Sequence, residues 1–264
     1  MNETLLKPQI ELIEELIYNS LNNDNQILSE ILDFLKAPSK RIRSKIALLY
    51  ILAQNKEVTK DIMSLLAAGE LIHNASLFHD DVIDNSSVRR GNTTLAKKYS
   101  DKVSLIAGDL IISKAIKLIH ELADSRITEN FLNCTEIMCN AEINQYLSKG
   151  TILNINKYLE ICRGKTASLF EAILKSAAIL TGSDDSEAGH FAQNFGIIFQ
   201  IRNDLEPNSA KQDKFNNLHT INDILSVEKT TSLIDNYKEE MRSIIKDFPQ
   251  NVYKEELEDI VENL

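Results

Sequence analysis

Residues 70–91 read ELIHNASLFHDDVIDNSSVRRG. An apolar run of helical character leads into three aspartates, Asp80, Asp81 and Asp84, and two arginines, Arg89 and Arg90, follow. On a helix, positions four apart share a face, so Asp80 and Asp84 point the same way and Asp81 lies about a quarter turn off. Carboxylates held side by side repel one another and are best stabilised by a hard divalent cation. Mg²⁺ favours such sites, taking a few carboxylates, several waters and the phosphate oxygens of a substrate. Planar guanidinium donors just downstream suit those phosphates. A solvated acidic helix end followed by a basic turn accounts for the aspartate spacing equally well when the spacing is considered alone.

The 264 residues around this stretch are enough for one large domain, taken here as 1–264. Only 8 Gly and 4 Pro occur, against plentiful Leu, Ile, Ala, Lys and Glu, so the expected class is all-α. A net charge of −10 with no long Lys/Arg block argues against nucleic acid as a partner. Cys134, Cys139 and Cys162 lack metal-site spacing and read as reduced thiols. The first residues, MNETLLKPQIELIEEL, show no basic and apolar signal pattern, and no segment approaches the roughly 20 apolar residues of a membrane span. The expected location is cytoplasmic.

Helical spacing of apolar residues predicts a helix pair over Leu5 to Leu35, with a polar turn at Asn22 to Asn25. Ala37-Pro38-Ser39 then breaks the chain before Lys40-Arg41-Ile42-Arg43-Ser44-Lys45. Cations at a helix start oppose the macrodipole. Four within six residues hint at an anionic partner, with a solvated basic turn as the equal alternative. A long helix is expected from Val58 to Asp84, burying Ile62, Leu65, Leu66, Gly69, Ile72 and Leu77, with a turn at Gly91 and Asn92. Further helices are expected over Val103 to Ile119, Ile127 to Tyr146 and Tyr158 to Leu180, and from Asp184 to beyond Gln200. Gly164 inside the third of these costs stability and points to a purposeful bend. A final pair covers Leu233 to Phe248 and Val252 to Leu264. Read alone, His73 is a core or groove histidine and Lys165 a solvated surface lysine.

Together these stretches resemble the trans-isoprenyl diphosphate synthases, the polyprenyl synthetase family, over roughly residues 36–233. His73, Ala75, Leu77, His79, Asp80, Asp81, Asp84, Arg89, Arg90 and Gly91 match the family's first aspartate-rich region. Lys40 and Arg43 match the cations of its Gly-Lys-x-x-Arg signature, although Pro38, Ser39 and Ser44 replace the usual glycines and proline. Gly108-Asp109 matches a Gly-Asp on a facing helix, Glu142 and Gln145 a Gly-Glu-x-x-Gln element, and Lys165-Thr166-Ala167 a Lys-Thr-Ala segment. The resemblance implies an isoprenoid-synthase-type helical bundle around a central cavity, usually a homodimer. It further implies a Mg²⁺-dependent condensation of isopentenyl diphosphate with an allylic diphosphate. Asp80, Asp81, Asp84 and Asp204 become metal ligands by that resemblance, and Asp80, Asp84, Arg89 and Lys165 the catalytic set. Lys40, Arg43, His73 and Arg90 would hold isopentenyl diphosphate, while Arg89, Lys165, Thr166, Gln200 and Lys229 complete the diphosphate contacts. The small Ala75 and Ser76, one turn before Asp80, stand where bulky aromatics stop the family's short products, which points to a medium or long chain.

The second aspartate-rich motif departs from the family pattern. Asp-Asp-x-x-Asp becomes Asn203, Asp204 and Pro207, so one carboxylate is neutral and another is missing. Pro207 is expected to end the helix early. Lys214 is the nearest substitute for a following family lysine, and Asp223, Glu228 and Lys229 resemble a worn Asp-Leu…Gly-Lys-x-Thr segment. Two competing functions follow. One is a catalytically weakened homologue that regulates an active synthase. The other is a class I terpene synthase, disfavoured because Pro207 and Lys211 stand where Ser and Glu are needed.

Overall fold

Scarce helix breakers leave long amphipathic runs intact, and the chain forms helices along most of its length. The computed structural model describes residues 4–21, 26–37, 39–207, 216 and 218–264. The helices are α1 (Lys7–Ser20), α2 (Gln26–Lys36), α3 (Ile42–Ala53), α4 (Lys60–Ile83), the short α5 (Leu95–Lys98), α6 (Asp101–Glu121) and α7 (Ser125–Leu147). After these come α8 (Ile155–Cys162), a π-helical turn (Arg163–Ala167), α9 (Ser168–Thr181) and α10 (Asp185–Leu205). The described chain closes with the short α11 (Ile221–Ile224), then α12 (Val227–Ile245) and α13 (Val252–Asn263). The expected all-α class is the one observed. The polar turn at Asn22 to Asn25, Pro38, Lys211 and Lys214 lie outside the described residues.

The described chain groups into two compact units, Asn2–Leu48 with Val58–Thr128, and Leu49–Glu57 with Glu129–Leu264. In the first, α4 is the central element. Thr59 caps its start by accepting from the Ile62 amide, and Asp61 in the first turn complements the positive end of the dipole. Along its length α4 packs against α1 and α6. Phe78 is fully buried and meets Phe34 with ring centroids 4.5 Å apart. Burial of a side chain this large stabilises by about 2–3 kcal/mol. The sequence pattern placed Leu77 on the buried side. Leu77 is instead half-buried and Phe78 faces the core, because the apolar stripe drifts around the helix over its 24 residues.

The end of α4 is set by a Schellman turn. Asn85 adopts a left-handed φ of 49°, its amide donates to Val82 O, and the Ser86 amide reaches Asp81 O. The chain then reverses in a feature the all-helical pattern did not foretell. Val88–Arg89 and Asn92–Thr93 form a two-stranded antiparallel hairpin, β1 and β2, with Arg89 opposite Asn92. Arg90 (φ 50°) and Gly91 (φ 80°) make its two-residue loop, both left-handed as a type I′ turn requires. Glycine suits that conformation, whereas an arginine there costs about 1–2 kcal/mol.

In the second unit α8, the π-helical turn and α9 form one interrupted helix packed on α10. Phe170 meets Phe195 at 5.2 Å and Phe199 at 5.7 Å, and Tyr50 meets Phe191 at 5.1 Å and Phe248 at 5.2 Å. Asp184 caps α10 by accepting from the Ser186 and Glu187 amides. As expected, the helix stops short of Pro207: α10 ends at Leu205, and Glu206 before the proline is extended, with ψ 130°.

Candidate active site

In the first unit the α3 start, the middle of α4 and the hairpin loop bring five basic side chains together. Arg41 is 2 % exposed and left-handed, with φ 47°. Its guanidinium donates to Leu35 O at 2.9 Å and to Glu14 Oε1 at 3.2 Å, and lies 3.6 Å from Glu70 Oε2. Glu70, also buried, accepts from Ser44 Oγ at 2.9 Å. Asn74, one turn on, donates to Glu70 O at 2.6 Å and accepts from Arg90 Nη1 at 3.2 Å, while the Arg90 guanidinium lies 5.4 Å over the Phe34 ring. Arg43 is buried, and Lys40 is exposed with no polar partner among the described residues. Burial pushes the His73 imidazole well below its ordinary pKa, and Arg43, Arg90, Arg41 and Arg89 push it the same way. The Arg90 guanidinium is itself pressed down by burial and by Arg41. A chain of net charge −10 thus maintains a local excess of positive charge around His73.

The last turn of α4 carries Asp80 and Asp81, with Asp84 at its C-cap, at the negative end of the helix dipole and with no basic residue in the turn itself. Asp81 is fully buried. Arg89 sends both Nε and Nη2 to its Oδ1, each at 2.8 Å, and Oδ2 is left buried without a hydrogen-bond partner. Burial raises the Asp81 pKa above that of an ordinary carboxylate, Arg89 opposes this, and the Asp84 charge adds to the rise. Asp80 and Asp84 are half-buried. Among the described residues no three His, Cys, Asp or Glu side chains converge as an all-protein metal cage. A magnesium ion needs no such cage, since it keeps its waters and takes one or two carboxylates plus phosphate oxygens. The orphaned Asp81 oxygen, with the half-buried Asp80 and Asp84 carboxylates near it in the chain, fits that requirement. Helix α6 steadies this turn: Ser104 Oγ donates to Phe78 O at 2.9 Å, and His79 Nε2 lies 3.3 Å from Leu105 O and 3.4 Å from Asp109 Oδ1. Gly108 leaves the room in which the His79 ring sits.

In the second unit, the bend expected at Gly164 is the π-helical turn. An added Cβ at Gly164 would lie 2.5 Å from Ala141 Cβ of α7, and one at Gly196 of α10 would lie 2.5 Å from Ala167 Cα. The extra residue in the widened turn aims neighbouring side chains at different helices. Lys165 Nζ meets Glu142 Oε2 at 2.6 Å and Gln145 Oε1 at 2.7 Å, both on α7. Thr166 donates instead to Gln200 Oε1 of α10 at 2.6 Å. Gln200 Nε2 donates to Asp204 Oδ1 at 2.6 Å, and the Tyr158 hydroxyl donates to Asp204 Oδ2 at 2.6 Å. Asp204 is 7 % exposed; burial drives the Tyr158 and Cys162 pKa values upward, and the Asp204 charge adds to the rise of both. Asn203 is half-buried, and Lys229 is exposed in the first turn of α12.

The first unit therefore gathers Arg43, His73, Arg89, Arg90 and the aspartates, and the second gathers Lys165, Thr166, Gln200 and Asp204. Arg41, Glu70, Asn74 and Tyr158 escaped the sequence reading. A glutamate and an asparagine on an otherwise apolar stripe were the available signal for two of them. Tyr158 offered none, since its partner lies 46 residues away.

Residues 25–264 match the family described as Polyprenyl synthetase. The chain is 32 % identical over 200 residues to a prenyl transferase of Cyanidium caldarium, covering 73 % of this chain and 62 % of the relative. It is 30 % identical over 200 residues to an octaprenyl diphosphate synthase of Escherichia coli (strain K12), covering 72 % and 60 %. The chain thus spans about three fifths of the length of these curated relatives. The fold of a decaprenyl diphosphate synthase from Rhodobacter capsulatus superposes with a TM-score of 0.89 at 20 % identity, over 99 % of this chain and 96 % of that one. With its aspartate-tipped α4 and its lysine on a π-helical turn, and matched from residue 25 to its last residue, the chain belongs to the polyprenyl synthetase family.

Proposed function

We propose that this protein is a Mg²⁺-dependent trans-prenyltransferase that joins isopentenyl diphosphate to an allylic diphosphate and makes a medium- or long-chain polyprenyl diphosphate. The observation that carries this reading is the concentration of Arg41, Arg43, Arg89 and Arg90 around His73 in a strongly acidic chain. A diphosphate is the anion that such a cluster of guanidinium groups fits. Arg43, His73 and Arg90, with Lys40 at the edge, bind the isopentenyl diphosphate; His73 donates its single imidazole proton without adding charge. Asp80 and Asp84, with the spare oxygen of Asp81, would hold magnesium, which supplies charge stabilisation to the departing diphosphate. Arg89, fixed by Asp81, donates to diphosphate oxygens as the allylic C–O bond breaks, and Lys165, paired with Glu142, is assigned to the allylic diphosphate by the family resemblance alone. The electrons of the isopentenyl double bond form the new C–C bond, and a proton then leaves to the released pyrophosphate. By the family resemblance the protein acts as a cytoplasmic homodimer; no helix among the described residues is long and apolar enough to cross a membrane.

The test is incubation of the purified chain with farnesyl diphosphate, labelled isopentenyl diphosphate and Mg²⁺, followed by chain-length analysis. Elongated product that disappears in Asp80→Ala is the expected result. The neutral Asn203 and the missing carboxylate at Pro207 favour one second reading, a weakened subunit that supports an active synthase. Turnover that appears only after a second, active chain is added would replace the first reading with that one.

A further inference from the structure

We propose that Asp204 is a positioning residue and not a metal ligand, so that a divalent cation bound at the first aspartate cluster is held without it. The inference builds on the prenyltransferase reading, in which the second motif would otherwise be expected to hold metal. Three observations carry it. Both Asp204 oxygens already accept 2.6 Å hydrogen bonds, from Gln200 Nε2 and from the Tyr158 hydroxyl, and the side chain is 7 % exposed. The other two motif aspartates are absent, since Asn203 is neutral and Pro207 takes the last position, and the nearby Glu206 is exposed. At the first cluster the situation is reversed, because Arg89 occupies only Oδ1 of Asp81 and leaves Oδ2 unfilled.

The carboxylate has a different task. An ionised carboxylate can only accept hydrogen bonds, so it compels Gln200 to turn its amide nitrogen toward it. The Gln200 carbonyl must then face the π-helical turn, where it accepts the Thr166 hydroxyl proton. One buried charge thereby sets the order Thr166 to Gln200 to Asp204, with Tyr158 closing the other side, and ties α8, the π-helical turn and α10 together. The position of Thr166, and with it the rotation of the adjacent Lys165, follows from that order.

The test is a Mn²⁺ titration of the full chain followed by electron paramagnetic resonance, with inorganic pyrophosphate present. Wild type, Asp204→Asn, Tyr158→Phe and Asp80→Asn are compared. Asp204→Asn is expected to keep the wild-type number of bound Mn²⁺ ions and their affinity within about twofold, whereas Asp80→Asn loses binding. If Asp204→Asn does not fold, Tyr158→Phe decides: loss of an outer-shell partner costs a true ligand about 10–100-fold in metal affinity, so an unchanged affinity supports the proposal. A lost Mn²⁺ site in Asp204→Asn, or such a drop in Tyr158→Phe, overturns it. A second readout is the Gln200 side-chain amide in the nuclear magnetic resonance spectrum. Its proton bonded to Asp204 should lie far downfield in wild type and move upfield in Asp204→Asn; an unmoved signal also overturns the proposal. A wild type that binds no Mn²⁺ refutes the metal reading of the first cluster while leaving Asp204 without metal, so the two failures are distinguishable.

Discussion

Burial, helped by four neighbouring guanidinium groups, lowers the His73 pKa well below that of an unfolded histidine, near 6.5. Below that value the unfolded chain binds more protons than the folded one, so stability falls as the pH is lowered through the window. The melting temperature should therefore decline between about pH 7 and pH 5, and His73→Asn should flatten the decline. An unchanged slope in the variant would locate the lost stability elsewhere. Arg41 sits in the same cluster with another task. It is buried against Glu70 and Glu14 and closes the Leu35 carbonyl, so Arg41→Met strands two carboxylates. A loss of about 3–5 kcal/mol in a urea unfolding titration is expected. The motif match singled out Lys40 and Arg43 and passed over Arg41, because a residue that anchors and a residue that binds carry the same charge in a sequence.

At the scale of elements, the aspartate tip depends on how closely α6 approaches α4. Gly108→Ala would drive a Cβ into the His79 ring, which would have to give up its contacts with Leu105 O and Asp109. Overpacking of this kind costs about 1–3 kcal/mol. The expected outcome is a lowered melting temperature that His79→Ala largely restores, checked by a double-mutant cycle. The π-helical turn poses the same test in the second unit. Gly196→Ala presses on the Ala167 backbone, which cannot swing away. Lys165 and Thr166 should lose their separate partners, and pyrophosphate affinity, measured calorimetrically, should drop with the melting temperature. Gly164 was legible as a bend from its helical surroundings. That the bend is a π turn, splitting adjacent side chains between α7 and α10, required the packing of both neighbours.

At the scale of the whole molecule, product length is the property that the small residues before Asp80 were expected to set. Ala75 is fully buried, so Ala75→Phe mainly tests core overpacking, whereas Ser76 is half-buried and can carry a larger group. Ser76→Phe should shorten the prenyl product in the elongation assay, and an unchanged distribution would remove the argument from small residues. The net charge of −10 also has a consequence at this scale. An acidic surface repels an anionic substrate, so binding has to come from charges concentrated locally, where salt screens them less than it screens the surface.

Sparse glycine and proline, helical apolar periodicity and the DDxxD stretch with its two arginines were by themselves enough to determine an all-α chain of this family and the place of its acidic cluster. Those signals are local: each depends on residues within a turn or two of one another. Tertiary structure alone decided that Arg41 is an anchor, because it meets Glu14 and Glu70, 27 and 29 positions away. It also decided that both Asp204 oxygens are engaged, since Tyr158, which donates to one of them, comes from another helix. Hydrogen-bond saturation belongs to a folded environment, and a motif letter cannot encode it.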